Sequence, residues 1–202
     1  MTEGTSQRPT TGDSIGGGDD AHAAEVRDAA ARHASKHRRR NPFVRSAAGG
    51  RALSALMLPF VTTLPSAGYG VITTTGRKSG KARRKCIRAI RREDKVYIVM
   101  LRPPAVAMAR PSAVTAWVWN IRANPNVRLR IRGGRFQGVA RELKDPTELL
   151  RAREAFCETV SGVDYAECAL HLRGLPARSK VKDLHRHWFD TGIPLVVDLA
   201  ER

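Results

Sequence analysis

A basic stretch between two glycines holds the groups in this sequence that are best suited to binding an anion. The chain reads Val71-Ile72-Thr73-Thr74-Thr75-Gly76-Arg77-Lys78-Ser79-Gly80-Lys81-Ala82-Arg83. β-Branched residues favour a strand, and two glycines around a serine favour a turn with outward N–H groups. The candidate donors beside that turn are Arg77, Lys78, Ser79 and Arg83. They predict a socket for a phosphate or carboxylate, the alternative being a basic surface hairpin.

The whole chain is strongly basic. Its 202 residues carry a net charge of +17, and 28 of the 36 basic residues are arginine. This charge predicts attraction to a phosphorylated cofactor, an acidic membrane face or a nucleic acid. Aromatic residues make up only 5% of the chain, which argues against stacking on single-stranded nucleic acid.

Cysteine usage and hydropathy indicate a cytoplasmic protein. Cys86, Cys157 and Cys168 are odd in number and follow no paired spacing. The first 20 residues lack the apolar segment of a signal peptide, and no run approaches 18 apolar residues.

Three regions are predicted along the chain. They are a disordered tail at 1–20, basic and amphipathic helices at 21–67, and the folded domain at 68–202. The first helix spans 21–40 with Asp19 or Asp20 as its N-cap, and a second helical segment spans 43–58 and ends at Pro59.

The domain at 68–202 contains mainly strands, so we expect an α+β fold that is mainly β. The predicted strands are 71–75, 83–92, 95–101, 127–132, 135–143 and 193–199. Helices are predicted at 114–122 and 145–160, a loop at 102–113, a Gly133-Gly134 hairpin turn, and irregular structure with helical pieces at 161–190. About six mostly antiparallel strands with peripheral helices indicate a small barrel.

Three ordered motifs resemble a known family. They are Thr73-Thr74-Thr75-Gly76-Arg77-Lys78-Ser79-Gly80, Trp117-x-x-Asn120-Ile121-Arg122-Ala123-Asn124-Pro125-x-Val127, and Gly192-Ile193-Pro194-Leu195-Val196-Val197. Over about residues 68–199 the chain resembles the deazaflavin (F-420)-dependent nitroreductases and quinone reductases. That resemblance implies a split β-barrel and a hydride transfer from reduced F-420 to a quinone, an enone or a nitro compound.

The resemblance also implies where the cofactor binds. The positions that match the site for the phosphate and acidic tail are Arg77, Lys78, Ser79, Gly80 and Arg83. Trp117 matches the tryptophan that flanks the deazaflavin ring, and flavin mononucleotide is the alternative cofactor. The neighbouring basic residues that could steer the acidic tail are Lys81, Arg84, Lys85 and Arg88.

The chain departs from the family pattern at three places. Many members have a proline and a tyrosine where this chain has Cys86 and Arg88. The loop before Trp117 is long and contains prolines, which lack an N–H donor for a ring. A tyrosine cluster is reduced to Tyr165, and an insertion follows it.

Aromatic residues supply the remaining candidates for the active site. Trp117 and Trp119 lie two apart on a helix, so they cannot both face inward. A hydrophobic acceptor would be bordered by these two side chains and by Tyr165. Tyr165 is the one candidate proton donor, against the simpler interpretation of a structural tyrosine.

Several alternatives stay open at the level of sequence. The pairs Cys168-x-x-His171 and His185-x-His187 match no standard zinc spacing, so no metal is predicted. The basic and amphipathic segment 21–58 could be solvated, bind nucleic acid or rest on anionic lipid. A non-catalytic barrel that binds lipid or another anion is the rival function, and the oligomeric state is open.

Overall fold

The computed structural model describes residues 17–36, 47–63 and 66–200. Its strands are β1 (Tyr69–Thr75), β2 (Ala82–Arg92), β3 (Lys95–Met100), β4 (Asn126–Ile131), β5 (Gly134–Glu142) and β6 (Ile193–Leu199). Its helices are α1 (Gly17–Lys36), α2 (Ala47–Thr63), α3 (Pro104–Ala109), α4 (Ala116–Ala123), α5 (Pro146–Glu158), α6 (Gly162–His171) and α7 (Arg178–Thr191). Residues 1–16 of the predicted tail, and the predicted helix end and start within 37–46, lie outside the described residues.

The six strands close into one antiparallel barrel in the order β1-β2-β3-β6-β5-β4. The predicted barrel of about six antiparallel strands is confirmed. Alternation along β4 shows why it closes, because Val127, Leu129 and Ile131 fill the interior. Arg128 and Arg130, between them in sequence, lie on the outer surface.

Helices cover one end and one side of the barrel. Helix α4 covers an end, where its Val118 and Ile121 join the interior cluster. Helices α5, α6 and α7 enclose a second apolar cluster around Phe156 and Trp188, against outward residues of β2, β3 and β6 such as Tyr97. None of the helices in the described ranges is long and apolar enough to cross a bilayer.

The N-terminal helices differ from their predicted bounds. Helix α1 begins at Gly17, so the N-cap predicted at Asp19 or Asp20 is wrong. Helix α2 continues through Pro59 to Thr63, because its packing against β1 and β2 outweighs the poor helix propensity of proline.

Two regions are more helical than predicted. The proline loop contains α3, which begins with Pro104 because a helix needs no N–H at its first position. The region 161–190 contains α6 and α7, and a capping box between Ser161 and Asp164 starts α6.

The hairpin between β4 and β5 differs from its prediction by one residue. Ile131 pairs with Gly134, so the two turn residues are Arg132 and Gly133 and not Gly133 and Gly134. The N-cap predicted for α5 is confirmed, since the Asp145 side chain accepts the Glu148 N–H at 2.8 Å.

Candidate functional site

The turn between β1 and β2 is a tight, internally bonded loop. The Gly76 N–H donates to the Lys81 carbonyl at 2.9 Å, and the Gly80 N–H donates to the Gly76 carbonyl at 2.7 Å. Gly80 has a φ of +64°, which favours glycine. A Cβ on buried Gly76 would lie 2.9 Å from the Ser79 Oγ. Both glycines are therefore needed to hold this backbone.

The side chains of this turn stand in solvent without acidic partners. Arg77, Lys78, Ser79 and Arg83 are all exposed. An Nη2 donor of Arg83 reaches the Ser79 Oγ at 3.4 Å, which places one guanidinium beside the hydroxyl. Within the described ranges no carboxylate forms an ion pair with these cations. Their donors therefore remain available to an external anion.

Asn120 fastens the turn to helix α4. Its buried side chain accepts the Arg77 N–H at its Oδ1, 3.1 Å away, and donates from its Nδ2 to the Thr74 Oγ1, also at 3.1 Å. The sequence motif includes Asn120, but no role was predicted for it. The sequence signal that could have identified Asn120 is its spacing of three residues from Trp117, which places the two side chains next to each other on one helix.

The two tryptophans of α4 face different surroundings, as their spacing predicts. Trp117 is partly buried and packs against the interior cluster of the barrel. Trp119 is 42% exposed. Its ring lies 5.8 Å from the Arg77 guanidinium and 4.6 Å from that of Arg122, within the range of cation–π contacts. The turn and α4 thus present an exposed indole between the unpaired Arg77 guanidinium and Arg122, which is itself paired with Glu142 at 2.6 Å.

The proline loop at 101–113 is fixed in place by Arg102. This buried guanidinium donates to the carbonyls of Ala113 at 3.1 Å, Thr191 at 2.6 Å and Gly192 at 3.1 Å. Burial lowers the pKa of Arg102, against the opposing effect of Glu142. The loop is therefore tied to the junction of α7 and β6.

The backbone donors of this loop are largely used within it. The N–H groups of Val106 and Ala107 donate to the Pro103 carbonyl, and that of Arg110 donates to the Val106 carbonyl. Prolines at 103, 104 and 111 have no N–H. A ring bound beside this loop would find few backbone donors there.

Tyr165 lies in a different part of the molecule from Trp117. It packs against the apolar cluster beneath α5, α6 and α7, whereas Trp117 packs against the barrel interior. The structure therefore brings the turn residues and α4 together, but it does not add Tyr165 to them.

Arg88 is buried in an ionic cluster beneath those helices. Its guanidinium pairs with Asp164 and donates to the Thr159 carbonyl at 2.6 Å. The carboxylate of Asp164 also accepts from the Tyr69 hydroxyl at 2.8 Å and lies 3.4 Å from the His185 Nε2. The prediction that Arg88 could steer an acidic tail is wrong, because this side chain is 2% exposed and already paired.

Burial and pairing oppose each other in the titration of this cluster. Burial lowers the pKa of Arg88 to about 10, although Asp164 favours its charge. Burial would raise the pKa of Asp164, but its hydrogen bond with His185 and the charge of Arg88 leave that pKa below its ordinary value. Burial also lowers the pKa of His185, which favours a neutral imidazole. The cluster is a buried ion pair, held by hydrogen bonds.

Glu167 borders this cluster and behaves differently. It is hydrogen-bonded to the Tyr69 hydroxyl, and burial raises its pKa to about 8. A protonated Glu167 could donate to the Tyr69 oxygen while Tyr69 donates to Asp164, which gives each of these groups a partner.

The cysteines and histidines considered for a metal have separate surroundings. The His171 ring lies edge-on to Trp188 at 5.3 Å, and His187 stacks on His33 at 3.8 Å. His185 belongs to the cluster of Arg88, and Cys168 is buried among apolar residues. In the part of the chain that the structure describes, no group of three or more potential ligands could hold a metal ion.

The fold and the candidate site together are a six-stranded antiparallel barrel with an open cationic turn and an adjacent exposed indole. The family can now be stated. The F-420H(2)-dependent quinone reductase family model matches residues 51–178, and the chain belongs to this family. No protein with a curated function matches the sequence.

Solved structures with similar folds have low sequence identity to this chain. A domain-swapped dimer is 20% identical, with a TM-score of 0.44 over 73% of this chain and 91% of that one. An F-420-H2-dependent reductase (FDR-A) is 20% identical, with a TM-score of 0.40 over 64% and 93%. An FAD-binding protein from Mesorhizobium loti is 16% identical, with a TM-score of 0.37 over 73% and 91%.

The protein is an F-420-dependent oxidoreductase. Its site fits the cofactor chemically, because F-420 carries a phosphate and carboxylates and the turn offers unpaired Arg and Lys side chains around a hydroxyl. The prediction of this family and cofactor from the three motifs is confirmed.

Proposed function

We propose that this oxidoreductase binds reduced F-420 through the turn at 76–83 and reduces a hydrophobic acceptor, such as a quinone, an enone or a nitro compound. The single observation that carries the proposal is the set of unpaired cations on this turn. Arg77, Lys78 and Arg83 would bind the phosphate and acidic tail by charge-assisted hydrogen bonds, and Ser79 would add its hydroxyl.

The rigidity of the turn supports this assignment. Its backbone is closed by its own hydrogen bonds, and Asn120 joins it to α4. A preorganised set of donors loses little conformational entropy when an anion binds. Arg77 and Trp119 are already in contact, so the proposed anion site and the exposed indole lie side by side.

The bound cofactor supplies the hydride, so the reaction requires no nucleophile from the protein. The protein's contribution would be orientation. Trp117 would border the cofactor ring from α4, and the exposed Trp119 would offer its face to a flat acceptor. For Tyr165 we propose a packing role in place of the predicted proton transfer, because it lies in the other apolar cluster.

A fluorescence titration with F-420 tests the cofactor site. Wild-type protein should quench or shift the cofactor's emission, and Arg77→Ala with Lys78→Ala should weaken binding by at least about tenfold, as expected for the loss of two charge-assisted contacts. The matched control is Arg151→Ala with Arg178→Ala, which removes the same charge from exposed sites on α5 and α7. Equal losses of F-420 affinity in both double variants would show that the turn contributes only non-specific positive charge.

The acceptor is tested by steady-state reduction of a short-chain quinone. Trp119→Ala should raise the KM for the quinone while the Kd for F-420 changes little, because Trp119 stands beside the site and the anion is bound by the turn. An unchanged KM for the quinone would remove Trp119 from the acceptor site.

A further inference from the structure

The outer surface of the β4–β5 hairpin carries a group of arginines without acidic partners. We call Arg128, Arg130, Arg132 and Arg135 the arginine face. Arg128, Arg130 and Arg135 point outward from the two strands, and Arg132 occupies the turn. Within the described ranges none of the four forms an ion pair, and a hollow of about 350 Å³ at the hairpin end is lined by three of them.

The arrangement of these charges is unfavourable in the protein alone. Arg130 lies directly opposite Arg135 across the antiparallel pair, and like charges in that position destabilise a sheet. The nearest basic neighbour on the same strand, Arg141, is by contrast paired with Glu148 at 2.6 Å and Asp198 at 3.0 Å. Glu148 and Asp198 are therefore already paired with Arg141, and an anion from outside would relieve the repulsion between Arg130 and Arg135.

An exposed apolar helix lies next to the arginine face. Helix α2 packs against β1 and β2, and β1 is the neighbour of β4 in the barrel. Leu56 is 65% exposed and Met57 is 37% exposed on this helix, which contains one charged residue in 17. Large apolar side chains beside a cationic surface are typical of proteins that lie on a bilayer.

We propose that α2 and the arginine face form a docking surface for a bilayer that contains anionic phospholipids. The guanidinium groups would bind lipid phosphates, and Leu56 and Met57 would enter the acyl boundary. This surface keeps the end of the predicted segment 21–58, which contains Leu56 and Met57. It replaces the beginning of that segment with the arginine face, because α1 buries its Val26 and Ala30 in a cluster with α3.

Sedimentation with vesicles tests the proposal in the full-length protein without F-420, so its result is independent of the cofactor site. The probes are vesicles of phosphatidylcholine with and without phosphatidylglycerol. Each arginine near an anionic surface contributes roughly a fivefold change in partitioning. Arg128→Gln, Arg130→Gln and Arg135→Gln together should therefore lower binding to anionic vesicles by roughly a hundredfold.

Two further variants make the test specific. Arg151→Gln, Arg173→Gln and Arg178→Gln remove the same charge from exposed positions on α5, α7 and the segment before α7, and they should leave vesicle binding within about twofold of wild type. Leu56→Ser with Met57→Ser should weaken binding while its salt dependence persists, since it removes only the apolar contribution. All the substituted side chains are exposed or half-buried, so the variants should fold.

Three results would overturn the proposal. They are equal losses in the two triple variants, equal binding to neutral and anionic vesicles, and no vesicle binding by a wild-type protein that binds duplex DNA through the arginine face. The last result would assign the same surface to a nucleic acid.

Discussion

Strand β2 begins in solvent and ends beneath helices α5 to α7, and it carries arginine in both halves. Arg83 stands beside the turn and touches only the Ser79 hydroxyl. Five residues later Arg88 is buried against Asp164 and His185. The two side chains have the same chemistry, yet the first keeps its donors free and the second has its charge compensated within the protein.

This difference separates binding from stability. An exposed arginine without a carboxylate contributes little to folding, and its donors are available to an external anion. A buried arginine must have its charge compensated, because an uncompensated buried charge is costly. Exposure and pairing together therefore separate arginines that are available to a ligand, such as Arg83, from structural ones, such as Arg88.

The largest expected effect is the difference in stability between alanine variants at these two positions. Arg88→Ala should lower the free energy of unfolding by about 3–5 kcal/mol, because it leaves Asp164 buried without its cation. Arg83→Ala should change the free energy of unfolding by less than about 0.5 kcal/mol and weaken F-420 binding. Urea titrations of both variants measure the free energy of unfolding. Similar losses in the two variants would show that Arg83 and Arg88 do not differ in their contribution to stability.

Loss of the hydrogen bonds between the cationic turn and helix α4 should have an intermediate effect on stability. Asn120→Ala removes both hydrogen bonds that join the turn to α4, and we expect a loss of about 1–3 kcal/mol in stability. F-420 affinity should also fall, because the cationic turn is no longer fixed. Asn126→Ala, an exposed asparagine at the start of β4, is the matched control. Retention of full F-420 affinity by Asn120→Ala would show that the turn is held without it.

The pH dependence of the buried region should reflect Glu167. The folded protein retains the Glu167 proton up to a pKa of about 8, whereas the unfolded chain releases it near 4.5. Between these values the folded state binds more protons, so this group lowers the stability as the pH rises. Glu167→Gln removes that dependence, so its stability advantage over wild type should grow by about 1.4 kcal/mol for each pH unit between pH 5 and pH 8.

Unfolding curves for both proteins at several pH values give this difference. Asp164 contributes the opposite trend, since its lowered pKa favours the folded state above its unfolded pKa, but it is present in both proteins and cancels. The control is Glu154→Gln, an exposed glutamate on α5. A constant difference between wild type and Glu167→Gln across the pH range would contradict the assignment.

The smallest effect is expected at Tyr165. Tyr165→Phe keeps the ring in the second apolar cluster, around Phe156 and Trp188. Turnover with F-420 and a quinone should therefore stay within about twofold of wild type. A fall of about a hundredfold in kcat with an unchanged KM would instead restore its role as a proton donor.

The sequence predicts the barrel well because its signals are local. The alternation of Val127, Leu129 and Ile131 with arginines identifies both faces of β4, and the Asp145 cap identifies the start of α5. The cationic turn is also visible, since its glycines and basic residues are consecutive.

The residues that the sequence does not reveal act through distant contacts. Arg88 and Asp164 are 76 positions apart, and Asn120 meets Arg77 across 43 positions. No periodicity reports such a pair, so Arg88 was grouped with the exposed cations around it. The extent of helix α7, predicted only as a helical piece of an irregular region, is hidden for a related reason. Its buried residues include His185 and His187, which do not count as apolar in a pattern.

Closure of the strand ring has a consequence for how this protein can associate. Each of the six strands pairs with a neighbour on both sides, although β2 pairs with β3 only over residues 89–92. Where a described strand is paired on both sides, another chain cannot add a strand to it. An assembly that uses these parts of the barrel wall must instead be built from side chains, whose identity can be altered one residue at a time without reopening the ring.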